Sequence, residues 1–243
     1  MAVYNGARYL QVQLSSILEQ LRAEDELVII DDASSDHSTQ LLYDINDRRI
    51  RLYRNKHNCG VLASFERALS LAGGDIIFLS DQDDLWLPNK VSRILSAFHL
   101  NTNVTLVTSD AIVIDEEGSI VADSFFKQRG RFSSGFIHNL VKNKHIGCTL
   151  AFRSSMLDFF LPIPKDVPMH DAWFGLINSI YGDTLYIDQP LIAYRRHANN
   201  LSPNKGTSLS QKIVWRWRLI RNIWPLVFDY LFKVRKTKKP HER

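Results

Sequence analysis

The stretch Phe78-Leu79-Ser80-Asp81-Gln82-Asp83-Asp84-Leu85-Trp86-Leu87-Pro88 decides how the rest of the chain is read. An apolar run, Asp75-Ile76-Ile77-Phe78-Leu79, ends abruptly in the carboxylates Asp81, Asp83 and Asp84. Pro88 then opens an amphipathic helix through Lys90, Val91, Ile94, Leu95 and Phe98. Carboxylates packed this tightly repel one another. A hard divalent cation relieves the repulsion, and Mg²⁺ is usually held by one or two carboxylates together with phosphate oxygens. The plain alternative is a solvated acidic turn that caps the next helix. A second acidic strand end upstream, Glu26-Leu27-Val28-Ile29-Ile30 running into Asp31-Asp32, favours the metal-and-phosphate reading.

Outward from these two ends, strands and helices alternate. Met1-Ala2-Val3-Tyr4-Asn5-Gly6 reads as the end of a strand entering a turn, with almost no strand before it, as if the start were assigned late. Because that strand belongs in the middle of the sheet, its shortness is expected to cost stability or activity. A helix follows on Tyr9, Leu10, Val12, Leu14, Ile17, Leu18 and Leu21. After Asp31-Asp32 come a loop (Ala33 to Asp36), a helix opened by Ser38-Thr39, a strand (Ile50 to Tyr53), a polar loop (Asn55 to Gly60), a helix (Val61 to Leu71) and the break at Gly73-Gly74. Uniformly apolar strands alternating with helices predict a parallel sheet covered on both faces. Ligands then sit outside the carboxyl ends of the strands, so both acidic ends share one cleft.

The second half reads differently. Strands are expected over 104–110, 111–115, 149–152, 184–187 and 191–195, with a helix from about Asp171 to Tyr181. Residues 1–100 thus form one half, 101–205 a mixed α+β half that shapes a second substrate's site, and 206–243 a separate tail. That tail is predicted to be a helix from about Ser208 to Val234, broken or kinked at Pro225. Ile213, Trp217, Ile220, Trp224, Val227, Phe228 and Leu231 line one face, and Lys212, Arg216, Arg218, Arg221 and Lys233 to Lys239 supply cations. An interfacial membrane helix has this composition, whereas a helix packed on the domain or on a twin is the alternative. The Trp and Phe spacing suits a membrane better than nucleic acid.

Composition bounds the rest. A chain of 243 residues with 45% hydrophobic and 23% charged residues is an ordinary soluble globular protein of one large domain with or without an appendage. Cys59 and Cys148 stand far apart in no metal-ligand spacing, which fits a reducing cytoplasm and argues against a disulfide scaffold or a zinc site. No cleavable signal peptide and no long apolar span is visible, so a cytoplasmic location is expected, peripheral at the inner face of the membrane through the tail. The net charge of +4 is concentrated in that tail.

With these pieces placed, the chain resembles family 2 glycosyltransferases of the GT-A fold. The matching residues are Ala2 to Gly6, Val28 to Asp36, and Asp81-Gln82-Asp83 as the DXD element. The spelling Asp81 to Lys90, with Phe65-Glu66-Arg67-Ala68 before it and Tyr194 to Asn200 near the end, looks most like the rhamnosyltransferase branch. The resemblance covers about residues 1 to 202. It implies that Val3, Tyr4, Asn5 and Asp32 bind the donor nucleotide, with Val3, Tyr4 and Asp32 lining the base pocket. It implies ribose at Asp81 and Mn²⁺ or Mg²⁺ at Asp83, with Asp84 as the other metal candidate, and His197 reaching the metal or diphosphate. Asp171, in Met169-His170-Asp171-Ala172-Trp173, is the candidate general base of an inverting transfer, since a base must take the acceptor proton on the face opposite the leaving group. Members of the family more often carry Glu-Asp there, so His170 is read as orienting the carboxylate or touching the acceptor. Arg195 or Arg196 is expected to pair with phosphate. The implied reaction moves a sugar, L-rhamnose from dTDP-rhamnose, onto a glycan or lipid-linked glycan. UDP-galactose, UDP-glucose and UDP-N-acetylhexosamine remain alternatives, as does a non-catalytic nucleotide-sugar-binding protein. A phosphoacceptor signalling domain fits the crowded carboxylates poorly, and no Gly-x-Gly-x-x-Gly follows a strand.

Overall fold

A computed structural model of the chain describes residues 1–198, 200 and 208–237. The first half is built on a parallel sheet in the order β1-β2-β3, made of β1 (Ala2–Val3), β2 (Leu27–Asp31) and β3 (Ile50–Arg54). Every residue of β2 is buried, as a strand flanked by neighbours and covered on both faces requires. The crossovers are α1 (Ala7–Leu18) and α2 (Ser38–Asp44), and α3 (Val61–Leu71) leads on to β4 (Ile76–Phe78). α1 buries Leu10, Gln13, Leu14 and Ile17, the i, i+3, i+4, i+7 stripe of a helix laid on a sheet.

The second sheet runs β4-β8-β6-β9-β5, with β7 (Ile120–Ala122) paired to β6. Its other strands are β5 (Leu85–Trp86), β6 (Val104–Ile114), β8 (Leu150–Arg153) and β9 (Asp183–Arg195). α4 (Lys90–Leu100), α5 (Phe125–Arg129), α6 (Phe136–Val141), α7 (Leu157–Phe160), α8 (His170–Tyr181) and α9 (Leu209–Thr237) complete the molecule. The α/β class stands. The expected parallel pairing holds for β1–β2–β3 and for β6–β9, but β4 pairs antiparallel with β8, and the second sheet is mixed. β6 and β9 each run through what the sequence suggests as two strands, because irregular register steps at Ser109/Asp110 absorb the break.

Between β2 and β4 lies an apolar groove of about 670 Å³, lined by Ile17, Leu27, Val28, Phe65, Leu69 and Ile77 among others. The Met1 ammonium beside it donates to the Val28 carbonyl at 2.8 Å, and burial lowers its pKa to about 5.

α9 continues through Pro225 as one helix. Leu219 and Ile223 are buried in the main core with Leu226 and Val227 packed against it, and the Tyr181 hydroxyl donates to the Leu226 carbonyl at 2.8 Å. Ile213, Trp217, Ile220, Trp224 and Phe228 lie on another face and are exposed. The helix therefore has two apolar stripes where the sequence reading has one, and Val227 belongs to the docked stripe. No described helix is long and apolar enough to cross a membrane.

Candidate functional site

The acidic ends of β2 and β4 meet the turn after β1 at one rim. Tyr4 N–H donates to Gln82 Oε1 at 2.7 Å, and Gln82 Nε2 donates back to the Tyr4 carbonyl at 3.0 Å. A single glutamine amide thus fastens the acidic loop to the first turn. A β-carbon on Gly6 would lie 2.5 Å from that amide, so the close approach needs glycine. Asn5 takes a left-handed conformation (φ 49°), and its Oδ1 accepts from the Ser35 N–H at 2.8 Å. Gly6 N–H donates to Ser38 Oγ at 2.8 Å, tying the same turn to α2. Val3 is buried in the sheet, whereas Tyr4 is exposed at the rim.

Asp32 is buried and already accepts from Asn55 Nδ2, Cys59 N–H and Gly60 N–H, at 2.7, 2.8 and 2.8 Å. The carboxylate thereby holds the loop before α3. Asp31 accepts from Ser34 N–H and Thr39 Oγ1, at 2.9 and 2.7 Å, and Arg54 Nε lies 3.3 Å away.

The loop after β4 divides its three carboxylates. Asp83 Oδ2 lies 2.7 Å from His197 Nε2 and accepts from Asn200 Nδ2 at 3.3 Å. Asp84 is buried, takes the Arg195 N–H at 3.0 Å, and is also bonded by the Cys148 thiol. Burial first, then Asp84, Asp83 and Asp171, push the Asp81 carboxyl well above its ordinary range, with the Met1 ammonium opposing them. Burial and Asp83 raise Asp84 to about 7. Burial and mutual repulsion thus outweigh the Met1 ammonium at Asp81 and the Lys90 ammonium at Asp84, and a bound divalent cation would reverse the balance.

Asp81, Asp84 and Cys148 bring potential ligand atoms within 4.8 Å of one another. The carboxylates suit a hard divalent cation and a thiol suits it badly. Lys90 is fully buried alongside, donates to the Cys148 carbonyl at 2.7 Å and stands 4.6 Å from the Trp86 ring centroid. Burial lowers its pKa to about 8.

β9 delivers Arg195, whose guanidinium donates to the carbonyls of Asp83, Asp115 and Glu116 at 2.9, 3.1 and 3.2 Å. Tyr9 of α1 lies beneath it at 4.7 Å and stacks with His197 at 5.1 Å. The Arg195 fork therefore holds backbone, where the sequence reading has Arg195 or Arg196 on phosphate.

Asp171 stands in the first turn of α8, accepts from the Ala172 N–H at 2.6 Å, and is also bonded by the Asn143 side chain and the Gly147 backbone. Burial raises its pKa to about 6. Its charge adds to the upward shift of Asp81, so the two carboxylates lie near enough to repel one another. The neighbouring His170 is buried, its ring centroid 4.0 Å from that of Phe65, with neither nitrogen hydrogen-bonded. Burial lowers its pKa to about 3.

The structure thus gathers Tyr4, Asn5, Asp81, Asp83, Asp171, Arg195 and His197 around one rim, with Asp32 beneath it and His170 turned into the core. Sequence reasoning missed Gln82, Tyr9, Lys90 and Gln13. Gln13, fully buried, donates from Nε2 to Ser80 Oγ and to the Asp81 carbonyl, both at 2.9 Å. A polar residue in the buried stripe of α1 was the available signal for it.

The profile of glycosyl transferase family 2 matches residues 1–159. The chain belongs to that family. This glycosyltransferase is 30% identical over 214 residues to an Escherichia coli protein, the UDP-Glc:alpha-D-GlcNAc-diphosphoundecaprenol beta-1,3-glucosyltransferase WfgD, covering 87% of this chain and 81% of the relative. It is 26% identical to the dTDP-rhamnosyl transferase RfbG of Shigella flexneri, covering 92% and 80%. Among solved structures, S. aureus TarS 1-349 in complex with UDP-GlcNAc superposes with a TM-score of 0.69 at 15% identity, covering 91% of this chain and 63% of that one. The Pyrobaculum calidifontis mannosyltransferase PcManGT, in complex with GDP-Man and Mn²⁺, gives 0.60 at 20% identity over 84% and 56%. This chain therefore spans less than two thirds of either solved chain. The glycosyltransferase has the GT-A-like α/β fold of these neighbours.

Proposed function

We propose that the enzyme transfers a sugar, with inversion, from a pyrimidine nucleoside diphosphate to a lipid-linked glycan. The observation that carries the reading is the rim itself. The Asp83–His197 pair and the Asp81/Asp84 carboxylates stand together after β4, and Asp171, near enough for its charge to act on Asp81, carries a carboxyl raised to about 6. Asp83 and His197 would hold Mn²⁺ or Mg²⁺, and a cation held there would supply the positive charge that a departing nucleoside diphosphate needs. Tyr4 presents its exposed ring to the base, while Asn5 and Asp32 fix the two loops around it. Asp81 binds ribose. Asp171, ionised at neutral pH, takes the acceptor hydroxyl's proton as the new bond forms. Arg195 acts through the backbone by fixing the carbonyl of Asp83, and His170 packs as an apolar core ring against Phe65 and Phe174.

The donor is dTDP-L-rhamnose on the spelling of the acidic motif and the likeness to RfbG. UDP-glucose is the second reading, favoured by the likeness to WfgD. The name of WfgD also supports a polyprenyl-diphosphate glycan as acceptor. Such an acceptor lies at a membrane, and the exposed aromatic stripe of α9 supports peripheral attachment to the inner face. Calorimetric titration with dTDP and with UDP, each with and without Mn²⁺, tests the donor site. The expected result is metal-dependent binding of one nucleotide, lost in Asp83→Ala. Equal binding without metal, or in the variant, refutes the assignment.

A further inference from the structure

α6 is a second helix with apolar side chains on opposite faces. Phe136 and Leu140 turn inward against the main core, while Ile137 and Val141, one turn apart, are 72% and 55% exposed. This face adjoins the outer stripe of α9. The Arg216 guanidinium donates to the Val141 carbonyl, and Arg216 sits on α9 between Ile213 and Trp217, themselves 58% exposed each. Together the two helices leave open a surface of Ile137, Val141, Ile213, Trp217, Ile220 and Trp224. A soluble monomer rarely exposes an apolar patch this extended without a use for it.

Charge identifies what covers the patch. Residues 208–228 carry Lys212, Arg216, Arg218 and Arg221 and no acidic residue, and Lys142 follows Val141 directly. Asp166 is the acid that meets this row, paired to Arg221 at 2.5 Å. Aromatic and aliphatic side chains edged by arginine and lysine match an anionic lipid surface, where indole rings settle at headgroup depth and cations meet phosphate. The chain beyond α6 points the same way. Asn143, just past Lys142, and Gly147 both hydrogen-bond Asp171. The exposed end of α6 is thus one short loop from the cleft.

We propose that α6 is a second membrane-contacting element, forming with the outer stripe of α9 one two-helix platform. The platform lies on an anionic bilayer and sets the Asp171 side of the cleft at the headgroups. A glycan tethered to lipid then reaches the site without leaving the surface. The proposal rests on the reading of α9 as a membrane helix and assigns to Ile137 and Val141 a role of their own.

The test uses the full chain and vesicles of phosphatidylcholine with and without phosphatidylglycerol. It compares wild type, Ile137→Ser/Val141→Ser and Trp217→Ser/Trp224→Ser, with thermal melting and nucleotide binding as checks that each variant is folded. The expected result is tight, salt-sensitive binding of wild type to anionic vesicles only. The α6 variant should bind about tenfold more weakly, with unchanged nucleotide affinity. It should also lose activity on a vesicle-embedded acceptor while keeping it on a soluble one. Wild-type affinity in the α6 variant, with loss in the α9 variant, overturns the platform and leaves the single-helix reading standing. Failure of wild type to bind vesicles overturns both. A concentration-dependent dimer abolished by the same substitutions, without vesicle binding, assigns the surface to a second copy of the chain and refutes the proposal.

Discussion

Replacing Gly6 by alanine isolates the contact that joins the acidic loop to the first turn. Its backbone (φ −104°, ψ 9°) is open to any residue, so conformational strain does not enter, and alanine for glycine at an N-cap costs roughly 0.5–1 kcal/mol. The added methyl would lie 2.5 Å from Cδ and Oε1 of Gln82. That amide ends a flexible side chain and swings aside, giving up the bonds of 2.7 and 3.0 Å to Tyr4. At about 1 kcal/mol each, discounted because the pair is exposed, the loss is about 1–2 kcal/mol. It falls on the placement of Tyr4 and Asp83 more than on global stability. Titration with the nucleoside diphosphate and Mn²⁺ should show donor affinity reduced about 5- to 30-fold, with the melting temperature nearly unchanged. Gln82→Ala should produce a similar loss, and the double variant should be no worse than either single one, since all three remove the same two bonds. Additive losses, or wild-type affinity in Gly6→Ala, would refute the clamp.

Asp171→Asn should lower kcat by about 10²- to 10⁴-fold at unchanged nucleotide affinity. In the parent enzyme kcat/KM should rise with pH up to about 6, where the Asp171 carboxyl ionises, and an unchanged acid limb in the variant would remove Asp171 from the role. Asp84 holds a proton in the fold that the unfolded chain releases near 3.8, so νN exceeds νU between that value and about 7, and the raised Asp81 carboxyl acts in the same direction. Metal-free stability should therefore fall as pH rises through that window. Asp84→Asn should flatten the slope and saturating Mn²⁺ should offset the loss, both read by thermal melting in the presence and absence of chelator. Arg195→Lys keeps the charge but cannot span three carbonyls, and should destabilise the protein by about 2–4 kcal/mol in a denaturant titration.

The acidic strand ends were legible because uniformly apolar runs such as Leu27 to Ile30 admit few placements other than a covered strand. Asp31-Asp32 and Asp81 to Asp84 had to emerge at a rim, and Asp171 at the start of a strongly patterned helix. The sheet order was not legible. The antiparallel partner of β4 lies more than 70 residues away, and no local pattern announces it. β5, of two residues, is held by β9 and has no signal of its own. The packing of Lys90 and Arg195 was not legible for a related reason. Cations are expected in solvent or on substrate, and only tertiary packing reveals that one is sealed under Trp86 and the other hooked over three carbonyls. The docked stripe of α9 was missed because Leu219, Ile223 and Val227 interleave with the exposed one at helical spacing.

That double stripe bears on how the protein is handled. Trimming the chain before Leu209 is the obvious way to make it better behaved in solution, since it removes Trp217 and Trp224 and leaves a body with a net negative charge. The same cut withdraws Leu219 and Ile223 from the core around Trp173 and Phe174. It exposes apolar surface on the body worth about 1.5–3 kcal/mol for each side chain withdrawn. A shortened protein would exchange one sticky surface for another and lose stability in doing so. Substitutions confined to Ile213, Trp217, Ile220 and Trp224 would improve solubility and leave the buttress beneath α8 in place.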